Sequence, residues 1–210
     1  MSQINTKSPK HCAKQGLNLN NVFKRFFYAL FTFLLSLLAL AILIWFILRP
    51  SKPEFSLKET DIYQLNLTAP HVLNSSIQVT LVTKNPNQKV GVYYDQLQAY
   101  ATYRGEQITM GSSLPPFYQG HEDSNVLSAS LMGSWVPVSP SFGYQVGRDQ
   151  LTGKMVLGFK LTGLLRWKVG SWVSGRYRFN VDCVALLPYG PNAASGPLTS
   201  KQGSQCSTSL

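Results

Sequence analysis

Hydrophobic and polar positions fall into three regimes along this chain. The first 25 residues are polar and basic, the stretch Phe26 to Leu48 (FFYALFTFLLSLLALAILIWFIL) carries no charge, and beyond Pro53 apolar residues alternate with polar ones. A helix over residues 26–48 would be about 35 Å long at ~1.5 Å per residue, enough to cross a hydrocarbon core of roughly 30 Å with some tilt. A cleaved signal peptide fits poorly, because its apolar core is usually ~7–15 residues and no small-x-small cleavage site follows. A core helix would show a polar stripe, and Tyr28, Thr32 and Ser36 do not make one. The pattern predicts one transmembrane helix.

After the span, Arg49-Pro50-Ser51-Lys52-Pro53 reads as a short stiff stalk over residues 49–53, since two prolines forbid helix and favour extended backbone. Alternation of period two then predicts strands with one buried face. It begins at Phe55 and Leu57 and resumes at Leu65 and Leu67. It is clear in Ile77 to Leu81, and recurs in Val90 to Asp95, Leu97 to Tyr103, Val126 to Met132, Lys154 to Leu161, Leu164 to Val169 and Arg176 to Leu187. In the last of these, Tyr177, Phe179, Val181 and Cys183 oppose Arg176, Arg178, Asn180 and Asp182. Seven or eight strands without a long helical pattern predict an antiparallel β-sandwich over residues 54–187. Residues 188–210, rich in Gly, Ser, Pro and Asn, read as a loop-like closing segment.

Charge orients this layout. Residues 1–25 hold five basic residues and no acid, whereas residues 49–210 hold 14 basic and 9 acidic ones, so the net +10 divides into +5 and +5. Five unopposed cations before the span, against Arg49, Lys52 and Lys58 after it, favour a cytosolic basic tail over residues 1–25. The chain is then a type II single-pass protein with its C-terminal domain outside. Cys12 falls on one side of the membrane and Cys183 and Cys206 on the other, so only the latter two can pair within one chain; spacing leaves both a disulfide and two free thiols open. Two N-x-S/T sequons, at Asn66 and Asn74, lie on the outer side. Asn74, followed by Ser75 and Ser76, reads as a loop and the better acceptor, and Asn66 as a strand position.

Catalytic constellations are scarce. His71 and His121 lack the close partners of a zinc site, His121-Glu122-Asp123 sits in a Gly- and Ser-rich loop, and no phosphate loop or nucleophile elbow occurs. These residues point to a binding or structural role without a cofactor. Arg166, Lys168, Arg176 and Arg178 lie on the polar faces of two neighbouring strands, either as an ordinary solvated face or as a contact for anionic lipid or cell-wall polysaccharide. Trp135, Trp167 and Trp172 read as core or end-covering residues, with a ligand platform as the alternative. Nucleic acid is not expected as a partner of a domain outside the cytosol.

Several features coincide: the basic tail and single span, NPNQKVGVYYD (Asn85 to Asp95), PPFYQG (Pro115 to Gly120), WKVGSW (Trp167 to Trp172) and RYRFNVDC ending at Cys183 with Cys206 beyond. Over roughly residues 20–206 the chain resembles the plant non-race-specific-disease-resistance and harpin-induced-like proteins, whose outer part is a late-embryogenesis-abundant group-two domain. The resemblance implies an immunoglobulin- or fibronectin-III-like sandwich, a plasma-membrane location that in some members includes plasmodesmata, and a non-enzymatic role in defence or stress. It maps the family's asparagine-proline-asparagine turn onto Asn85, Pro86 and Asn87, its tyrosine-rich strand onto Tyr93, Tyr94 and Asp95, and its late cysteines onto Cys183 and Cys206. Pro86 occupies the x position of a would-be sequon, so Asn85 is no glycan acceptor; the stretch reads as a β-turn followed by a bulge at Gly91. Tyr93 and Tyr94 then point to opposite faces.

Overall fold

The computed structural model describes residues 19–48, 50–69, 71–190, 197–201 and 203–210. It divides into two units, residues 1–49 and 50–210. Within the first, helix α1 (Leu19–Leu48) contains a segment, Phe23–Ile44, long and apolar enough to cross a membrane, with a mean hydropathy of 2.6. The helix begins before Phe26, so Lys24 and Arg25 of the basic tail belong to its first turns. Residues 1–18 of that tail, with Cys12, lie outside the described residues. Two hydroxyls inside the apolar segment are returned to the helix backbone, Thr32 Oγ1 to the Ala29 carbonyl at 3.0 Å and Ser36 Oγ to the Phe33 carbonyl at 2.8 Å, which is how such residues are tolerated in hydrocarbon.

The second unit contains, in chain order, β1 (Glu54–Ala69), β2 (Val72–Lys84), β3 (Gly91–Tyr103), β4 (Glu106–Gln107), β5 (Ser112–Leu114), β6 (Phe117–Gln119), β7 (Ser124–Pro137), α2 (Phe142–Thr152), β8 (Lys154–Val169), β9 (Trp172–Val173), β10 (Tyr177–Pro188), β11 (Leu198–Ser200), β12 (Ser204–Gln205) and β13 (Ser207–Ser209). They form two antiparallel sheets. One runs β11-β1-β2-β7 with β12 also on β1; the other runs β13-β10-β8-β3-β4, with β5 and β6 also on β3 and β9 on β8.

The alternation accounts for the packing between them. Along β2, Leu73, Ser75, Ile77, Val79, Leu81 and Thr83 are buried, and along β8 so are Met155, Leu157, Phe159, Leu161, Leu165 and Trp167. Phe55 of β1, Tyr94 of β3 and Phe179 of β10 meet between the sheets, with ring centroids 5.8–6.2 Å apart. This is the expected antiparallel sandwich behind an apolar helix. The two stretches Leu97 to Tyr103 and Val90 to Asp95 prove to be one strand, and its bulge lies between Asp95 and Gln98 rather than at Gly91. There Gln96 takes a left-handed φ of 52°.

Two other expectations change. The tail after Pro188, read as a loop, supplies β11 and β12 to β1 and β13 to β10, so it laces the outer edges of both sheets. Cys206 of this tail is bonded to Cys183 of β10, with Cα atoms 4.4 Å apart, which is the disulfide among the two alternatives left open by spacing. Helix α2 was not apparent in the pattern. It ends on Gly153, whose φ of 77° suits a left-handed cap, and it is anchored by Phe142, whose ring lies edge-on to Tyr103 at 5.3 Å. Asp149 of α2 accepts from the Tyr103 hydroxyl and from Arg104, both at 2.7 Å. Burial and the Asp149 hydrogen bond hold the Tyr103 phenol above its usual range.

Candidate functional site

The turn after β2 is built by its two asparagines. Asn85 is fully buried, and its amide nitrogen donates to the carbonyls of Val90 and Gly120 at 2.8 and 2.7 Å. Its carbonyl oxygen accepts from the backbone N–H and the side-chain amide of Asn87 at 3.1 and 2.8 Å. Asn87 in turn exchanges two bonds with the backbone of Ser51, at 2.7 and 2.8 Å. All of these groups are saturated inside the protein, so the turn is a clasp joining the stalk, β2, β3 and the loop after β6.

Tyr94 extends the clasp inward. Its ring stacks on Phe117 at 4.5 Å, and its hydroxyl lies 3.0 Å from Gln119 Oε1 and 3.3 Å from Thr83 Oγ1. Gln119, fully buried, donates to the carbonyls of Thr83 and Asp123. The pairing Val92 with Gln119, Tyr93 with Tyr118 and Tyr94 with Phe117 explains why two distant motifs occur together: PPFYQG is the partner strand of VGVYYD. Burial pushes the Tyr94 phenol well above its ordinary value of 10.0. Because the folded pKa is raised, the stability this group confers is intact below about pH 10 and is lost as pH rises above it. In an alkaline titration followed at 295 nm, the Tyr94 step should appear only together with loss of tertiary structure. A Tyr94 phenolate in a fully folded domain near pH 10 would contradict this burial.

Tyr93 takes the other face, and there the cations gather. Its ring meets Tyr118 at a centroid distance of 4.6 Å, the Arg166 guanidinium lies 5.2 Å from its centre, and Lys168 Nζ lies 5.0 Å from Tyr118 and 5.6 Å from Tyr93. Gly91 makes room for this: a Cβ at that position would come within 2.8 Å of the Tyr118 ring. Arg166 pairs with both oxygens of Asp95 at 2.8 and 3.2 Å, and Arg176 reaches the same carboxylate at 3.7 Å. Arg178 stands further along, beside a cleft of about 280 Å³ shared with Gln96, Thr162, Gly163, Leu164 and Asn180. The structure therefore places Arg166, Lys168, Arg176 and Arg178 on one outer face, with Asp95 among them and Asp182 further along β10, where it pairs with Lys160 at 3.3 Å. Tyr118 was not foreseen there.

Other candidates are dispersed. Trp167 is buried, but Trp135 and Trp172 are 70% and 61% exposed and belong to different sheets; the three make no common platform, and two of them are not core. Asn74 is in β2 and not in a loop, directly paired with Asn66 of β1. Its amide is engaged at both ends, accepting from Trp135 N–H at 2.9 Å and donating to Thr68 Oγ1 at 3.0 Å, whereas the Asn66 side chain is exposed. Among the described residues no group of three or more His, Cys, Asp or Glu is arranged to hold a metal ion.

These features define a β-sandwich protein that has one membrane-length apolar helix ahead of the sandwich in the chain, with the cationic and aromatic face around Tyr93 and Tyr118 as its candidate site. The sequence profile of late embryogenesis abundant proteins matches residues 80–184, from β2 into β10. NDR1/HIN1-like protein 26 of Arabidopsis thaliana is 56% identical over the full length of both chains, and NDR1/HIN1-like protein 1 of the same plant is 39% identical over 89% of this chain and 90% of its own. Protein NDR1, also of Arabidopsis thaliana, is 26% identical over 67% of this chain and 65% of its own. The chain belongs to the NDR1/HIN1-like family of late embryogenesis abundant proteins.

Proposed function

We propose that this is a non-enzymatic, single-pass plasma-membrane protein of plant defence and stress responses, acting through protein contacts of its outer sandwich. The observation that carries the reading is full-length similarity to the NDR1/HIN1-like proteins, in a chain that keeps an apolar helix ahead of the sandwich. In this reading residues 1–25 are a cytosolic tail, 26–48 the span, 49–53 the stalk, 54–187 the extracellular sandwich and 188–210 the segment that closes it. Plasmodesmata are a further location the family suggests. The Cys183–Cys206 bridge suits an oxidising compartment. Asn66 and Asn74 are its glycan acceptors, and exposure favours Asn66.

Plants lacking the protein should support more pathogen growth, restored to normal by the full chain and not by residues 50–210 alone in the cytosol. Full restoration by the soluble cytosolic form would overturn the role of the anchor.

A second reading, attachment to anionic lipid, is favoured by the cationic face around Tyr93 and Tyr118. If it holds, residues 50–210 should float with phosphatidylserine vesicles at low salt and detach as salt rises, and Arg178→Glu with Lys168→Glu should abolish flotation. Equal behaviour with neutral vesicles would remove this reading.

A further inference from the structure

Alternation along β8 turns Lys168, Arg166, Leu164 and Thr162 to the outer face of their sheet. The register continues each row onto the neighbouring strands: Tyr93 lies beside Arg166, Asp95 and Arg178 flank Leu164, and Gln98 and Asn180 flank Thr162. Tyr118, paired with Tyr93, lengthens the first row. From Lys168 to Thr162 this strip runs about 20 Å at roughly 3.4 Å per residue.

Its polar side chains are not all spent. Arg166 and Arg176 are turned to Asp95, as described above. Around the cleft of about 280 Å³, by contrast, the side chains of Gln96, Thr162, Arg178 and Asn180 make no hydrogen bond or ion pair among the described residues. That volume is close to the roughly 300 Å³ at which ligand pockets begin. Gln96 also borders a second cleft, of about 490 Å³, with Gln98 and Ser113. At the other end of the strip Lys168 stands 5.0 Å from the ring of Tyr118, which is 45% exposed. The contrast with Asn85 and Asn87, whose amides are consumed within the turn, is plain.

We infer that this strip binds an acidic polysaccharide, a chain of pyranose rings that carry carboxylates. The inference rests on the extracellular placement proposed above, which brings a cell-wall polymer within reach. Charge selects an anion: Arg166, Lys168, Arg176 and Arg178 stand against Asp95, and neither Arg178 nor Lys168 has a carboxylate partner among the described residues. Length selects a polymer over a small anion. The free groups select a sugar: Arg178 takes a carboxylate, the amides of Gln96 and Asn180 and the Thr162 hydroxyl both donate to and accept from ring hydroxyls, and Tyr118 offers an aromatic surface to the apolar side of a ring. An acidic protein would need an apolar centre depleted of charge, and within the strip β8 offers one aliphatic side chain, Leu164. Lipid headgroups on a bilayer would meet the cations and leave the amides without partners.

The test is binding of the purified full chain, in nonionic detergent at low salt, to polygalacturonate, to the same polymer with its carboxylates methyl-esterified, and to polyglutamate. Wild type should bind polygalacturonate at least tenfold more tightly than either control. Arg178→Gln should weaken that binding at least tenfold, and Asn180→Asp, which keeps the shape of the side chain and adds a repelling charge, should do the same. Lys201→Gln removes an equal charge from the other sheet, where Lys201 pairs with Glu59 at 3.2 Å, and should change binding less than twofold. Each variant should keep the wild-type urea midpoint, so that lost binding is not lost fold. Equal affinity for polyglutamate, or equal weakening by Arg178→Gln and Lys201→Gln, would reduce the strip to indiscriminate charge attraction and overturn the inference. So would failure to bind polygalacturonate, whether or not the chain binds phosphatidylserine vesicles. The assay uses purified chain and does not depend on topology, so the strip and the extracellular placement fail separately.

Discussion

Replacing Asn85 by alanine is expected to destabilise residues 50–210 by about 3–5 kcal/mol, because buried groups left without partners cost roughly 1–3 kcal/mol each. The substitution strips donors from the carbonyls of Val90 and Gly120 and an acceptor from Asn87, whose hold on Ser51 then loosens. Partial rearrangement keeps the total below the sum. A domain of ordinary stability, about 5–15 kcal/mol, would lose a large share of it. Urea denaturation followed by tryptophan fluorescence measures the loss. Pro86→Ala in the same turn removes no such bond and should cost under about 1 kcal/mol. If the two variants were equally stable, the clasp would not be what holds the turn.

Breaking the Cys183–Cys206 bridge should cost about 3 kcal/mol, the chain-entropy value for a loop of this size, the cysteines being 23 residues apart. The loss should also have a location. Cys206 N–H bonds the Phe55 carbonyl at 2.9 Å, and β12 and β13 lie on either side of it against β1 and β10. In Cys206→Ser, amide exchange should therefore accelerate first in β12, β13 and the adjoining edges of β1 and β10, while β2 and β8 stay protected. Wild type treated with reductant should match it. Unchanged stability in both would mean that the tail is held by its strand pairing alone.

Much of the fold is legible in the chain because long strands repeat one rule many times. Ile77 to Leu81 and Arg176 to Leu187 declare their buried faces by alternation, and Phe26 to Leu48 declares itself by unbroken apolarity. Alternation places Tyr93 and Tyr94 on opposite faces without saying which is inward; Phe55, Phe117 and Phe179 decide that, and they come from three other strands. Short elements are the ones that escape. A pair such as Ser204–Gln205 has too few residues to show a period and is a strand only because β1 offers an edge. Helix α2 contains Gly143 and Gly147 and no side-chain cap from Ser141, so neither propensity nor a start signal announces it. Asn74 looked like a loop because Asn-Ser-Ser is turn chemistry; its pairing with Asn66 of β1, and that of Ser75 and Ser76 with β7, override that preference. The cationic face was half visible: Arg166, Lys168, Arg176 and Arg178 are readable from neighbouring strands, whereas Tyr118 arrives on β6, whose pairing with Tyr93 no local pattern reveals.

The placement of the sandwich outside the cytosol is tested most directly by protease protection on intact protoplasts expressing the full chain tagged at both ends. Added protease should remove the C-terminal tag and leave the N-terminal one on a membrane-embedded stub, and glycosidase should shift the intact chain to lower mass unless Asn66 and Asn74 are both changed to Gln. A C-terminal tag shielded until the membrane is lysed, on a chain with no glycan to remove, would contradict the placement and the function proposed from it.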